Sequence, residues 1–513
     1  MIDGARYSRI LPAAQFYLLN FTLGIGHFLV LLNAGAYLPM LPYVAGTMGE
    51  GIPYVVWGQS DYFTAMGAAF LIARPLMKRF GPKNVAISAY LAFSVASLAA
   101  LLTIHSFPVY TSVRVLQGFS AGLSIIPSFF LLLEYYRQDK QHVASSLWGL
   151  AVFVPFSVGP VLGGWLAYRM GDWRLLFVFS FLVALSVAGI LWALLADWED
   201  ETDPSFSLRR PVKAFLFLVT SALLLQEYFD VGLLSDLSSR FRELWWLLFA
   251  CAIFAWLFWT ENSRFRLVNF SLFSKPNFAS GMLLLCLAFM MVQGAIVQYI
   301  IRIQVVEGYT AWHVGLLFLP LFLFSKPLSI FVQHRIGKGM DPRIPAFLSI
   351  LMLAGCFFWI SEYVRPATWE KLLPPQFLMG AALGLFFASM TAISLAHVPK
   401  GDLLHGVDLL NTARNLCAGL AITFSDIGWD RLSDYELDRI AFQQDANAAK
   451  LLEFAPHLVH QRLDLEAQLV TFNDFFRILS IGLFVLAVAV WLLSPAVSKD
   501  PDMAIVENLG EEP

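Results

Sequence analysis

The 513-residue chain is far more apolar than an ordinary soluble protein, with 58% hydrophobic residues, 14% charged residues and a mean hydropathy of +0.66. A polytopic membrane protein is therefore expected. The net charge of −3 averages loops on two sides of a bilayer, so it gives no reason to expect a nucleic-acid partner. The four cysteines lie in apolar runs without metal-ligand or disulfide spacing, and neither a metal nor a cofactor is predicted.

Apolar runs of the length that crosses a bilayer, about 20 residues, recur along the whole chain. Fourteen are predicted, at 16–39, 54–74, 84–104, 108–133, 143–168, 174–196, 211–230, 244–260, 278–300, 312–333, 344–363, 374–396, 405–427 and 473–494. An even number places both termini on one side. Lys and Arg are concentrated in the short loops of that side, which predicts cytoplasmic termini.

The longest connection is the external loop 428–472. Its segment Leu432–Val470 is rich in both charges and leucine, which predicts an amphipathic helix. Such a helix would lie on the outer membrane surface or contact a partner. A solvated helix without a partner explains the pattern equally well.

Motif residues in four spans carry a family resemblance. The fourth span contains Arg114-Val115-Leu116-Gln117-Gly118, then Gly122 and Pro127. The fifth span and the turn after it contain Gly149, Pro155, Gly159-Pro160, Gly163-Gly164, Trp173-Arg174 and Phe177. The twelfth and thirteenth contain Pro375-Gln376-Phe377, Gly380, Gly384, Gly406, Asn411, Arg414, Asn415 and Gly419. Together these residues resemble the major facilitator superfamily, and within it the fourteen-helix drug:proton antiporters of the EmrB and QacA type, over about residues 20–494.

The resemblance implies an all-α polytopic membrane protein with a major facilitator fold. Two six-helix bundles, 1–196 and 278–494, would flank two inserted helices in 197–277, and residues 495–513 would form a cytoplasmic tail. The implied function is proton-coupled export of amphipathic organic compounds by alternating access, from the inner membrane of a Gram-negative cell. A periplasmic adaptor protein and an outer-membrane channel are partners that this family allows.

Two alternatives use the same scaffold: uptake, or transport of a specific metabolite, fatty acid or siderophore, and a membrane sensor that transports nothing. An enzyme is not expected, because the sequence has no nucleotide-binding loop, no metal-spaced cluster and no nucleophile with a base.

The chain departs from the family pattern at two places. Asn33 occupies the position of the first-helix aspartate, so an expected proton carrier is missing and sodium coupling stays open. The loop between the second and third spans, 74–83, keeps only its basic cluster and Gly81, which leaves the usual gating contact of this loop in question.

Charged residues inside spans are the candidates for proton coupling. Arg114 and Asp61 both lie about 9 Å below the outer ends of their spans, at 1.5 Å per residue. An intramembrane charge generally needs a partner, so we predict that they pair or exchange a proton between states. Alternatively, Asp61 reaches the outer surface. His27 and Asp408 are further candidates, and a histidine such as His27 is more often hydrogen-bonded between helices.

Lys326, near the middle of the tenth span, is the most unexpected charge. It must pair with an acid such as Asp408 or Glu227, lose its proton, or face a wet cavity. Cationic side chains in the spans favour a neutral or anionic amphipathic substrate. The candidates for the substrate cavity are Asn33, Gln117, Gln293, Gln298, Lys326, Asn411 and Arg414.

The fifth span predicts a close helix contact, because Gly159 and Gly163 have the spacing that lets two helix backbones approach. We predict a gating contact between the two halves on the outer side, with ordinary close packing as the alternative. The motif residues are Gly159, Pro160, Gly163, Gly164, Trp173 and Arg174.

Overall fold

The computed structural model describes residues 11–103, 105–137, 140–195, 202–234, 241–363, 367–442 and 456–495. In these ranges the chain is helical and contains no strand. The α-helices are α1 (Ala13–Tyr37), α2 (Leu41–Met48), α3 (Ile52–Phe80), α4 (Pro82–Leu102), α5 (Phe107–Glu134), α6 (Gln141–Gly164), α7 (Leu175–Leu194), α8 (Arg209–Leu234), α9 (Phe241–Phe265), α10 (Phe278–Val305), α11 (Ala311–Leu323), α12 (Ser325–Gly337), α13 (Arg343–Ser361), α14 (Trp369–Leu395), α15 (Leu403–Phe442) and α16 (Pro456–Ala489).

Each of the fourteen predicted spans falls on helical structure. Ten helical stretches within the described ranges are long and apolar enough to cross a bilayer by length and composition alone. The other four predicted spans lie on α3, α6, α8 and α15, which are 29, 24, 26 and 40 residues long. α3 and α15 are less apolar because they turn polar groups towards each other; Ser60 Oγ, for example, donates to Gly419 O at 2.8 Å. The protein is therefore a multi-pass, all-α membrane protein.

Glycine and proline set several helix ends. Gly81, with a φ of 83°, ends α3 in a conformation that favours glycine, and α4 starts at Pro82. The tenth predicted span is broken at Phe324 into α11 and α12. Pro327 lacks the N–H that would bond to Leu323 O, which accounts for the break.

The same glycine contact occurs twice in the chain. On α5, a Cβ at Gly118 or Gly122 would overlap the carbonyl oxygens of Tyr62 and Met66 on α3. On α14, a Cβ at Gly380 or Gly384 would overlap those of Leu321 and Ser325, at the α11–α12 junction. In each contact the two glycines are four residues apart, and so are the two residues whose carbonyl oxygens they approach. This repetition is typical of transporters built from two structural repeats.

We call the membrane side of residues 11 and 495 the terminal side, and the opposite side, towards Phe442 and Pro456, the hairpin side. α15 extends 15 residues beyond the predicted span 405–427 and is about 60 Å long, at 1.5 Å per residue. α16 likewise begins 17 residues before the predicted span 473–494. The two extensions pack on each other through Trp429, whose ring centroid lies 6.4 Å from that of Phe472. The single amphipathic helix predicted over 432–470 was therefore wrong in its bounds, because its described parts continue α15 and α16.

The helices α8 and α9 form the inserted pair. They reach the rest of the bundle through a small apolar cluster in which Ala214 and Phe258 pack with Leu71 of α3 and with Val268. Much of α9 is exposed instead, including large side chains that are typical of a lipid-facing surface: Trp245, Trp246, Phe249, Trp256 and Trp259.

Candidate functional site

Arg114 is completely buried near the hairpin side of α5. Its guanidinium donates to Asn33 Oδ1 at 2.8 Å, Gln59 Oε1 at 3.1 Å, Gly58 O at 3.3 Å and Gln117 Oε1. These four bonds use four of the five N–H donors of the guanidinium, and every acceptor is a neutral oxygen. Among the described residues, Arg114 forms no ion pair.

Two aromatic rings complete the environment of this charge. The guanidinium carbon lies 4.5 Å from the ring centroid of Tyr37 and 4.6 Å from that of Tyr62. Tyr62 in turn donates to Val30 O at 2.7 Å, which fixes its ring. The cation is thus stabilised by amide dipoles and π faces.

The ligands of Arg114 are themselves bonded to further helices. Asn33 Nδ2 donates to Ser180 Oγ on α7 at 3.0 Å, and Gln117 Nε2 donates to Ser97 Oγ on α4 at 2.9 Å. One charge therefore links α1, α3, α4, α5 and α7. Asn33 and Gln117, predicted to contact substrate, are fully buried in this network, and a substrate cannot reach them in this conformation.

Asp61 faces away from Arg114, and the predicted ion pair is not formed in this conformation. Its Oδ1 accepts from Gln226 Nε2 of α8 at 3.4 Å. The helical rise predicts an equal depth for the two residues but does not set their directions, because successive residues are about 100° apart around a helix. Gln59 consequently faces Arg114, whereas Asp61, two residues later, faces the inserted pair.

His27 packs between α1 and α6, only 2% exposed. Its ring is stacked on Trp148 with centroids 4.0 Å apart. Neither ring nitrogen has a hydrogen-bond partner in the described part of the chain, so the alternative of an interhelical hydrogen bond was wrong.

The candidates on α10 and α12 lie in the second half of the chain. Lys326 is half-buried, two residues after the break between α11 and α12. Gln293 and Gln298 of α10 are 8% and 3% exposed. Interrupted spanning helices often line binding sites in transporters, and this places Lys326 at a position of that kind.

Asn411 and Arg414 lie together on α15. Arg414 Nη2 donates to Asn411 Oδ1 at 3.0 Å, and its guanidinium lies 5.4 Å from the ring centroid of Phe387 on α14. Phe387 packs edge-on against Phe289 of α10. Arg414 is half-buried and forms no ion pair with a described carboxylate. It is a cation beside an aromatic wall.

Asp408, at the terminal end of α15, pairs with Arg74 of α3. The pair has two hydrogen bonds, and Arg74 Nη2 lies 3.3 Å from Asp408 Oδ1. Arg74, the first residue of the predicted loop 74–83, thus contacts α15 in the other half of the chain, and a gating role for this contact stays a prediction. Asp408 is therefore paired with Arg74 and not with Lys326.

The glycines of the fifth predicted span lie in close contacts at the hairpin end of α6. A Cβ at Gly163 would overlap Ala36 O of α1, and one at Gly159 would lie 3.0 Å from Gly35 C. A Cβ at Gly164 would overlap Ala311 O of α11, and one at Gly315 would overlap Pro160 O. The predicted close approach is therefore present both within the first half and between the halves.

Trp173 and Arg174 shape the turn that follows α6. Trp173 Nε1 donates to Thr47 Oγ1 at 2.9 Å. Arg174 forms two hydrogen bonds to Asp172, at 2.7 and 2.8 Å, and these lower the pKa of the Asp172 carboxyl. Both residues order the turn at the hairpin side.

Sequence reasoning missed Gln59, Tyr37 and Tyr62 around Arg114, and Phe387 beside Arg414. Gln59 could have been found, because a glutamine inside a span two residues before Asp61 is a visible polar signal. The aromatic rings had none, because 15% of the chain is aromatic.

A multi-pass helical fold with a repeated glycine contact, a buried cation and a close contact between α6 and α11 is typical of one class of protein, the secondary transporters. The chain matches the profile of the Major Facilitator Superfamily over residues 23–422 and belongs to that family. It is accordingly a transporter and not an enzyme.

Among similar proteins, the Fatty acid resistance protein FarB of Neisseria gonorrhoeae is 26% identical, with 94% of this chain and 97% of that protein covered. The Multidrug export protein EmrB of Escherichia coli K12 is 28% identical over 94% and 96%. A bacterial homologue of the human lysosomal transporter Spinster has a similar structure, with a TM-score of 0.64, 14% identity and coverage of 94% and 98%. The xylose transporter XylE of E. coli gives a TM-score of 0.56 at 11% identity, with coverage of 94% and 97%. These structures support the fold.

Proposed function

We propose that this protein exports amphipathic organic compounds, neutral or anionic, in exchange for protons. The family and the similarity to proteins named for multidrug export and fatty acid resistance support export. The observation that carries the substrate class is Arg414, a half-buried cation beside the ring of Phe387. An aromatic wall binds the apolar part of an amphipath, and the guanidinium binds a carboxylate.

The proposed orientation places the terminal side in the cytoplasm of a Gram-negative inner membrane. The excess of Lys and Arg in the short loops of that side supports it. The hairpin of α15 and α16 would then project into the periplasm, where an adaptor protein leading to an outer-membrane channel could bind it.

In the proposed mechanism, the halves 1–196 and 278–494 rock about a central site, and the inserted pair 197–277 packs beside them. The Arg114 network keeps the first half rigid. Asp61 and Asp408 are the proposed proton carriers, with His27 as an auxiliary group. The contact of Gly164 and Pro160 with α11 closes the hairpin side, and the Arg74–Asp408 pair joins the halves on the terminal side.

Transport into proteoliposomes under an imposed pH gradient tests this function. The panel contains a fatty acid, a neutral amphipath and a quaternary ammonium dye. We expect the fatty acid and the neutral amphipath to move in a gradient-dependent way. Arg414→Ala should lower the fatty-acid flux about tenfold or more. In Asp61→Asn the flux should no longer depend on the pH gradient. Arg264→Gln, at an exposed residue of α9, is the control. Movement of the cationic dye alone, or of nothing, contradicts the proposal.

A further inference from the structure

A cavity of about 450 Å³ lies at the terminal side, where α3, the stretch after α9 and the start of α15 meet. Arg74, Lys78 and Arg266 bring three positive charges to its lining, and Asp408 brings one negative charge. His405 is also part of the lining. The cavity therefore has an excess of positive charge.

Arg266 is held at the cavity by a built turn. Its backbone has a φ of 59°, and its N–H donates to Asn262 O at 2.7 Å. The buried Asn262 side chain also binds Val268 through both its backbone groups, at 2.8 and 3.0 Å. Within the described chain the exposed Arg266 side chain has neither a hydrogen bond nor an ion pair. This charge is available to a ligand.

Lys78 is only weakly engaged. Its Nζ lies 3.9 Å from Asp203 Oδ2 and 4.5 Å from the ring centroid of Phe206, and more than half of its side chain is exposed. An exposed pair at this distance contributes little, so a ligand could replace Asp203 at small cost.

Apart from Asn269, the rest of the lining is apolar. Phe70 and Leu71 of α3 face Phe265 and Leu267, and the cluster that joins the inserted pair to α3 adjoins them. An inorganic anion would leave these walls uncovered. A phosphodiester with attached apolar groups would satisfy both parts of the lining, because charged headgroup recognition and acyl-chain burial combine at basic pockets between spanning helices.

We propose that this cavity binds the headgroup of an acidic phospholipid from the adjoining leaflet. Its phosphate bonds to Lys78 and Arg266, and its glycerol and first acyl carbons lie on Phe70 and Phe265. Arg74 then has two competing anions, the lipid phosphate and Asp408. Binding therefore weakens the contact that joins the halves on this side, which gives the inserted pair a regulatory role. This last consequence rests on the proposed transport function, but the binding does not.

Binding is measured by thermal unfolding of the detergent-purified full chain, with short-chain phosphatidylglycerol, short-chain phosphatidylcholine or inorganic phosphate added. We expect phosphatidylglycerol to raise the Tm by several degrees, and the double variant Lys78→Gln, Arg266→Gln to lose at least two thirds of that shift. Arg264→Gln, two residues from Arg266 and outside the cavity lining, should keep it.

Equal shifts with phosphatidylcholine, or an unchanged shift in the double variant, would overturn the site. If inorganic phosphate alone gives the full Tm shift, the cavity binds free phosphate and the lipid proposal is wrong. Each variant's own Tm without lipid separates misfolding from lost binding. Because no transport is measured, failure of this proposal and failure of the export function are distinguishable.

Discussion

At the scale of single residues, Arg114 is a buried cation held by neutral groups. Its hydrogen bonds reach Asn33, Gln59, Gln117 and Gly58, while two tyrosine rings cover its faces. Asn33 replaces the carboxylate that the family resemblance led us to expect. The amide suffices as a ligand because it accepts from Arg114 and donates to Ser180.

Asn33 therefore provides a test at this scale. Asn33→Leu leaves a buried guanidinium N–H and Ser180 without their shared partner, which should lower the free energy of unfolding by about 1–3 kcal/mol. Asn33→Asp keeps an acceptor for Arg114. Its melting temperature should be within about one degree of that of the native protein, or higher, because opposite charges then meet in a buried site. Thermal unfolding in detergent measures both. A native melting temperature for Asn33→Leu would show that the network does not stabilise the first half.

At the scale of elements, helix positions were predictable from the sequence and side-chain directions were not. Apolar length located the fourteen spans, because crossing the hydrocarbon core imposes a length. The helical rise predicts the depth of a residue in a span but not the rotation of the helix, and this is why Asp61 was paired with Arg114. Rotation is set by packing between helices distant in sequence, such as the contact of Ser60 with Gly419.

The contact of α6 with α11 is tested by the smallest possible change. Gly164→Ala adds a Cβ that overlaps Ala311 O, so the hairpin ends of the two helices must separate. Overpacking of this kind costs about 1–3 kcal/mol, and we expect transport to fall by about tenfold. Gly189→Ala on α7 is the matched control, since nothing lies within 4 Å of the added atom. Equal flux in the two variants would mean that this contact has no role in the cycle.

The contact of α3 with α15 is tested by exchanging its charges. Asp408→Arg places two cations together and should reduce transport about tenfold, which corresponds to about 1.4 kcal/mol. The double variant Arg74→Asp, Asp408→Arg restores opposite charges and should recover at least a third of the native flux. If the double variant is no better than the single one, attraction between opposite charges at this contact is not what transport requires.

At the scale of the whole molecule, we propose that two halves move about a buried site and open its two sides in turn. The measurement uses spin-label pairs on exposed positions, Met170 with Val305 on the hairpin side and Phe80 with Leu404 on the terminal side. We expect substrate and a lowered pH to change the two distances in opposite directions. If both distances change in the same direction, or neither changes while transport continues, alternating access by these halves is contradicted.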